Sequence, residues 1–236
     1  MICLESQIEH YMRSIDMSGS IIELVDVALS GHGGKKIFAH LNFSLPESET
    51  AVISGPTGAG KTQMVKLIIG NLSPDAGSVF IFGKFVKVNK PWQLAGIRKK
   101  IGGVGGAFRL ISYQTVYENL LYPMILNKKA VSFQKNRIEQ ILSRFDLIGR
   151  RNEMAGNLSQ GEKIETMLAR AIIADQPLLL IDEPLAGVDD KMAERIKRLL
   201  VRLSTAGHSM VILTSNPDRL GIPGSINLRL ENGGLV

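Results

Sequence analysis

Cysteine is nearly absent. Cys3 is the only one in 236 residues, which excludes an intrachain disulfide framework and a cysteine-cluster metal site and fits a reducing compartment. Long apolar runs are missing as well: nothing approaches the roughly 18 residues of a membrane span, and stretches such as Leu178-Leu179-Leu180-Ile181 have the length of core strands. The first residues, MICLESQIEH, lack the basic start and long apolar run of a secretory signal. The chain is therefore expected in the cytoplasm, reaching a membrane only through another subunit. Internal repeats, low-complexity tracts and long linkers are also lacking.

What is there suits one α/β domain. Hydrophobic residues make up 44 %, enough for a sizeable core, and charged residues are 21 % and of mixed sign, which argues against disorder. Lys and Arg number 28 against 22 Asp and Glu, a formal charge of +6. Such a surface suits nucleic acid, anionic lipid or phosphate ligands, and equally a plain solvated face.

Residues 1–19 read as an N-terminal extension and 20–236 as the folded domain. IIELVDVAL and IFAHLNFSL are strand-like, with a GHGG turn between them. ETAVISG is a short buried strand, GAGKT opens a helix that Gly70-Asn71 stops, and GSVFIFG is another strand. From about Trp92 to Arg170 the character is helical, with Ser132 as an N-cap and Ile138, Ile141, Leu142 and Phe145 at helical spacing. LLLID and MVILTS return as strands around a helix near 190–204, a parallel β-α-β unit, and INLRLENGGLV closes as a hairpin.

Residues 55–62 read Gly55-Pro56-Thr57-Gly58-Ala59-Gly60-Lys61-Thr62, fitting G-x-x-x-x-G-K-[ST] between a predicted strand and a predicted helix. Gly58 and Gly60 let backbone amides turn toward phosphate oxygens, and the helix N-terminus favours an anion. Lys61 reaches the β and γ phosphates, and the Thr62 hydroxyl can ligate Mg²⁺; Gln63 follows in the first turn. The apolar strand 178–181 ends in Asp182-Glu183, where active residues of open α/β sheets sit. Asp182 would hold Mg²⁺, directly or through water, and Glu183 would polarise the attacking water as general base. By themselves, two carboxylates could simply end a strand.

Leu158-Ser159-Gln160-Gly161-Glu162 resembles the LSGGQ signature of ABC ATPases. It stands 98 residues after Lys61 and 23 before Asp182. Leu185-Ala186-Gly187-Val188-Asp189 resembles the D-loop of that family, and Thr115-Val116-Tyr117-Glu118-Asn119 resembles its T-V-x-E-N segment. Taken alone, Ser159-x-x-Glu162 is an ordinary capping box. The resemblance covers about residues 20–236. It implies a P-loop NTPase (RecA-like) core, an N-terminal antiparallel β subdomain and an inserted helical subdomain at about 92–170. It further implies that ATP and Mg²⁺ are bound between two ATPase chains, like or unlike, with Ser159 and Gly161 meeting the nucleotide of the second copy. The segment from Arg98 to Met124 is most similar to FtsE-like and lipoprotein-exporter-like ATPases. That implies a polytopic membrane partner, FtsX-like or an exporter permease, and a place on the inner face of the membrane. FtsE works in bacterial cell division.

Three positions depart from the family. The Q-loop glutamine falls at Gly106, with Gln114 eight residues later. The switch histidine falls at Ser215, which can donate a hydrogen bond but reaches less far. The adenine-stacking aromatic falls about at Leu29, near His32. Losing a base stack weakens binding by about 1–3 kcal/mol, and losing a transition-state donor slows turnover roughly 10²–10³-fold. Slow hydrolysis is expected. The alternative is a nucleotide-gated regulatory subunit in which binding, not turnover, is the output. ABC-type heads of DNA-repair and chromosome-organising proteins carry long coiled coils, and no sustained heptads occur here, so no nucleic-acid partner is expected. Tyr113, Tyr117 and Tyr122 read as core or ordinary surface, Arg98-Lys99-Lys100 and Arg150-Arg151 as solvated faces, His40 and His208 as structural, and Trp92 as packed at the edge of the helical insert.

Overall fold

The computed structural model describes residues 19–236; Cys3 and all but the last residue of the expected N-terminal extension lie outside them. In chain order the strands are β1 (Ser20–Ser30), β2 (Lys36–Pro46), β3 (Thr50–Ser54), β4 (Ala76–Ile81), β5 (Lys84–Phe85), β6 (Ile101–Val104), β7 (Leu178–Asp182), β8 (Ser209–Thr214), β9 (Ile226–Glu231) and β10 (Gly234–Leu235). The α-helices are α1 (Lys61–Ile68), α2 (Pro91–Arg98), α3 (Val116–Leu126), α4 (Val131–Arg144), α5 (Gln160–Ile172) and α6 (Asp190–Thr205).

The strands form two sheets, as expected. One is four-stranded and antiparallel, in the order β2-β1-β4-β5. The other runs β10-β9-β3-β8-β7-β6, parallel from β9 to β6 with β10 antiparallel at its edge. Every residue of β7 and β8 is buried, which is why both read as unbroken apolar runs rather than alternating ones. One core, including Met64, Val65, Leu67 and Ile68 of α1, joins the two sheets; a second lies between the parallel sheet and α3 to α6.

α6 shows how sequence becomes packing. Asp189 caps it by accepting from Met192 N at 2.9 Å, and Ala193, Ile196, Leu199, Leu200 and Leu203 recur on one buried face. Leu200 is fully buried, so truncating it to alanine would cost about 2–5 kcal/mol.

Several element-level expectations are corrected. Ile101–Val104 is a strand inside the stretch read as helical, pairing with β7. The cap position of α4 is Ala130, with no side-chain bond, and Ser132 lies inside the helix. Trp92 is 74 % exposed on α2 rather than packed. The basic runs are not merely solvated. Arg98 donates to Ile69 O, Gly70 O and Asn71 Oδ1, tying off the end of α1. Arg150 pairs with Glu162 at 2.7 Å, and Arg151 pairs with Glu139 at 2.6 Å while lying over the Tyr117 ring. Among the described residues, no helix is long and apolar enough to cross a membrane.

Candidate functional site

The site lies at the carboxyl ends of β3, β7, β8 and β6, where adjacent parallel strands deliver their loops to one edge. The loop after β3 reaches α1 through Gly58 at φ 87° and Gly60 at φ 106°, backbone that L-residues adopt only under strain. A Cβ at Gly60 would also stand 2.8 Å from Ile37 Cγ2 and Phe38 Cε1. α1 starts with no side-chain cap bond and no acid in its first turn. Its first N–H groups therefore remain available to an anion.

Lys61 is 6 % exposed. Its Nζ donates to Gly55 O at 2.7 Å and Pro56 O at 3.2 Å and stands 3.3 Å from Glu183 Oε1. All of these partners are neutral carbonyls or a single carboxylate, which the ammonium can exchange for the oxygens of a phosphate. Thr62 Oγ1 donates to Asp182 Oδ2 at 3.1 Å. The other oxygen, Oδ1, is buried with no hydrogen-bond partner. Burial above all, with the Glu183 charge beside it, pushes the Asp182 carboxyl up from its ordinary value, while the Thr62 bond and Lys61 pull it down. An orphaned carboxylate oxygen short of positive charge, next to a hydroxyl and an anion cradle, fits Mg²⁺ held by one carboxylate, one hydroxyl, phosphate and water. No all-protein cage competes: among the described residues no three His, Cys, Asp or Glu side chains are grouped to hold a metal.

Glu183 follows β7 at φ 52°, a left-handed conformation that stores about 1–3 kcal/mol and gathers at functional sites. Its Oε2 accepts from Ser215 N at 3.0 Å and Ser215 Oγ at 3.1 Å. The residue expected to replace the switch histidine thus touches the expected general base.

The loop after β6 meets Asp182 with backbone instead of a side chain. Gly105 and Gly106 have φ 73° and 46°. A Cβ at Gly106 would overlap Asp182 Oδ2 and stand 3.1 Å from Asp182 Cγ. Gln114 does not fill the gap, since its Nε2 donates to Tyr122 OH at 2.9 Å. Arg170 on α5 anchors this loop by donating to Phe108 O at 2.7 Å and Arg109 O at 2.9 Å; burial lowers its pKa to about 10. Leu29 is buried in the core of the antiparallel sheet and presents no face to a base. The His32 side chain lies outside the described ones.

Ser159 caps α5 in a reciprocal box: its Oγ accepts from Glu162 N, and Glu162 Oε2 accepts from Ser159 N. Ser159 is exposed, while Gly161 is buried beneath Met192, where a Cβ would meet Met192 Cγ at 2.5 Å. Among the described residues, no hydrogen bond or ion pair joins Ser159 or Gly161 to the phosphate loop of the same chain. The structure therefore gathers Lys61, Thr62, Asp182 and Glu183, adds Ser215 and the Gly105-Gly106 backbone, and leaves the signature apart. Arg170 has no counterpart among the sequence-predicted site residues, and Asn119 closes the T-V-x-E-N segment. Asn119 is fully buried and bonds Ile111 N and O and the carbonyls of Gln114 and Thr115, fixing the turn into α3.

Comparison with known proteins gives a consistent result. Residues 38–186 match the ABC transporter family. The methionine import ATP-binding protein MetN of Protochlamydia amoebophila is 34 % identical over 74 % of this chain, which spans 54 % of that protein, about half its length. The cell division ATP-binding protein FtsE of Escherichia coli K12 is 28 % identical over 86 % of this chain and 91 % of its own. In three dimensions, the ATP-binding cassette MJ0796, solved as a dimer in a post-hydrolysis state with ADP and Pi, superimposes with a TM-score of 0.81 at 27 % identity, covering 91 % of this chain and 96 % of that one.

Proposed function

The chain belongs to the ABC transporter family as an ATP-binding subunit, and on that premise we propose that it binds MgATP at the phosphate loop and hydrolyses it slowly to drive a membrane partner. The observation that carries this reading is the pairing of Asp182 and Glu183 with the loop. Asp182 offers an unpartnered buried oxygen beside the Thr62 hydroxyl, and Glu183 stands 3.3 Å from Lys61.

The roles follow from the geometry. The amides of residues 55–60 and the start of α1 take the phosphates, with Lys61 leaving Glu183 for the β and γ oxygens. Thr62 and Asp182 would hold Mg²⁺, which supplies charge stabilisation for the phosphoryl oxygens when bound. Glu183, freed from Lys61, orients water against the γ-phosphorus. The new P–O bond forms as the bond to the bridging oxygen breaks, and the water proton passes to Glu183. Without a side chain at Gly106 or an imidazole at position 215, fewer groups sense the γ-phosphate, so turnover is slow.

In our reading Ser159 and Gly161 serve a second chain, like or unlike, in a head-to-tail pair; the dimeric MJ0796 cassette supports this. The similarity to FtsE over most of both chains supports a cell-division role with an FtsX-like partner on the inner face of the membrane; the similarity to the methionine import protein MetN supports a transport permease instead. The exposed Trp92, Tyr122, Ile125 and Leu126 on α2 and α3 give such a partner an apolar surface. A second reading, nucleotide-gated binding without turnover, is favoured by Gly106 and the buried Leu29. MgATP hydrolysis by the purified chain beside Glu183→Gln separates the two: turnover lost in the variant supports hydrolysis, and equal rates select gating.

A further inference from the structure

We infer that Ser215 is a positioning residue for Glu183: it holds one carboxylate oxygen so that the other is presented to water. This inference rests on the hydrolytic reading above.

The two oxygens of Glu183 have different surroundings. Oε2 accepts two hydrogen bonds from one residue, Ser215 N at 3.0 Å and Ser215 Oγ at 3.1 Å. Among the described residues, Oε1 faces only Lys61 Nζ, at 3.3 Å. When nucleotide phosphates draw Lys61 away, Oε1 loses its partner while Oε2 keeps both of its own. The carboxylate then has one anchored oxygen and one free oxygen directed at the phosphate loop, and the water proton is taken by the free one.

The surroundings make this clamp stiff. β7 and β8 are adjacent and parallel, with Asp182 opposite Leu213. Glu183 N donates to Leu213 O at 2.9 Å, which ties the residue to the end of β8 just before Ser215. Asn216 N donates to Thr214 Oγ1 at 3.1 Å and closes the turn that carries Ser215. A hydroxyl on a single rotatable bond loses little freedom in that geometry. The serine therefore does more than vacate the place of a histidine: it bonds the base itself.

The test is steady-state MgATP hydrolysis by the full chain as wild type, Ser215→Ala, Ser215→Gly, Ser215→Thr, Glu183→Gln and the double variant Ser215→Ala/Glu183→Gln. Removing one hydrogen bond to a charged acceptor should lower kcat about ten- to hundredfold in the Ala and Gly variants, with KM for MgATP changed less than about threefold because the phosphate contacts are untouched. Threonine should restore most of the rate, and the double variant should be no slower than Glu183→Gln alone. A merely structural serine would move KM and kcat together and would slow the Gln background further. Ala and Gly variants within twofold of wild type, threonine no better than alanine, or a further loss in the double variant would overturn the proposal and leave the hydrolytic reading standing. Wild-type turnover no higher than that of Glu183→Gln would overturn both.

Discussion

Restoring glutamine at position 106 is the most informative single substitution, because resemblance and geometry expect opposite results. By resemblance, Gly106→Gln returns a missing sensor and should speed hydrolysis. By geometry it should damage the site. Gly106 sits at φ 46°, where a residue with a Cβ is strained by about 1–3 kcal/mol. Its Cβ would overlap Asp182 Oδ2 and stand 3.1 Å from Cγ, so the carboxylate must turn. That breaks the 3.1 Å bond from Thr62 Oγ1, worth about 1 kcal/mol at so exposed a donor. The total is about 2–4 kcal/mol, which for a chain of this size lowers Tm by about 5–15 °C. Thermal unfolding by circular dichroism, with and without MgATP, measures it. Gly106→Ala should suffer nearly as much, since the first carbon carries the overlap, and both variants should lose the MgATP-dependent rise in Tm. A Gly106→Gln variant with unchanged Tm and faster turnover would refute the reasoning and show that the Gly105-Gly106 backbone is free to rearrange.

Other outcomes are expected from the ion pairs and caps. Glu165 on α5 is 1 % exposed and paired with Arg195 Nε on α6; Arg195→Ala leaves a buried carboxylate alone and should destabilise by about 2–4 kcal/mol in urea unfolding, toward the lower end because Arg195 is itself 37 % exposed. Restoring balance with Glu165→Gln in the same chain should recover part of the loss. The Glu162 carboxyl is lowered from the usual 4.5, first by the Ser159 hydroxyl bond and then by the Ser159 amide. A lowered folded value means stability that is complete above about pH 4.5 and is lost as pH falls through the folded value. Ser159→Ala should therefore flatten the acid limb of the stability curve below that pH while also lowering the plateau, which urea titrations from pH 3 to 7 would show.

Much of the site was legible because its chemistry is local. The phosphate loop, Asp182-Glu183 and the capping box at Ser159 are contiguous strings, each with its own turn or strand. What escaped depends on distant chain. β6 was hidden by Gly102 and Gly103, which weaken a strand signal. They are small because Cβ atoms there would overlap Ala171 O and the Phe108 ring. Arg98 and Arg170 look like surface charge in sequence, yet each spends its guanidinium on carbonyls, those of residues 69–70 for Arg98 and 108–109 for Arg170. Ser215 could be read as a shorter histidine substitute, but not as a double donor to Glu183, because that bond crosses between two strands.

The exposed indole on α2 has a practical consequence. Trp92 is the only tryptophan in the chain and is 74 % exposed in the folded state. A ring this exposed should emit as a wet indole both before and after unfolding, which makes it a poor thermometer. It is, for the same reason, a sensitive optical probe: anything that covers α2 beside Leu126 removes water from the one ring that dominates the fluorescence, and a blue shift without labelling would time the arrival of a partner on that face.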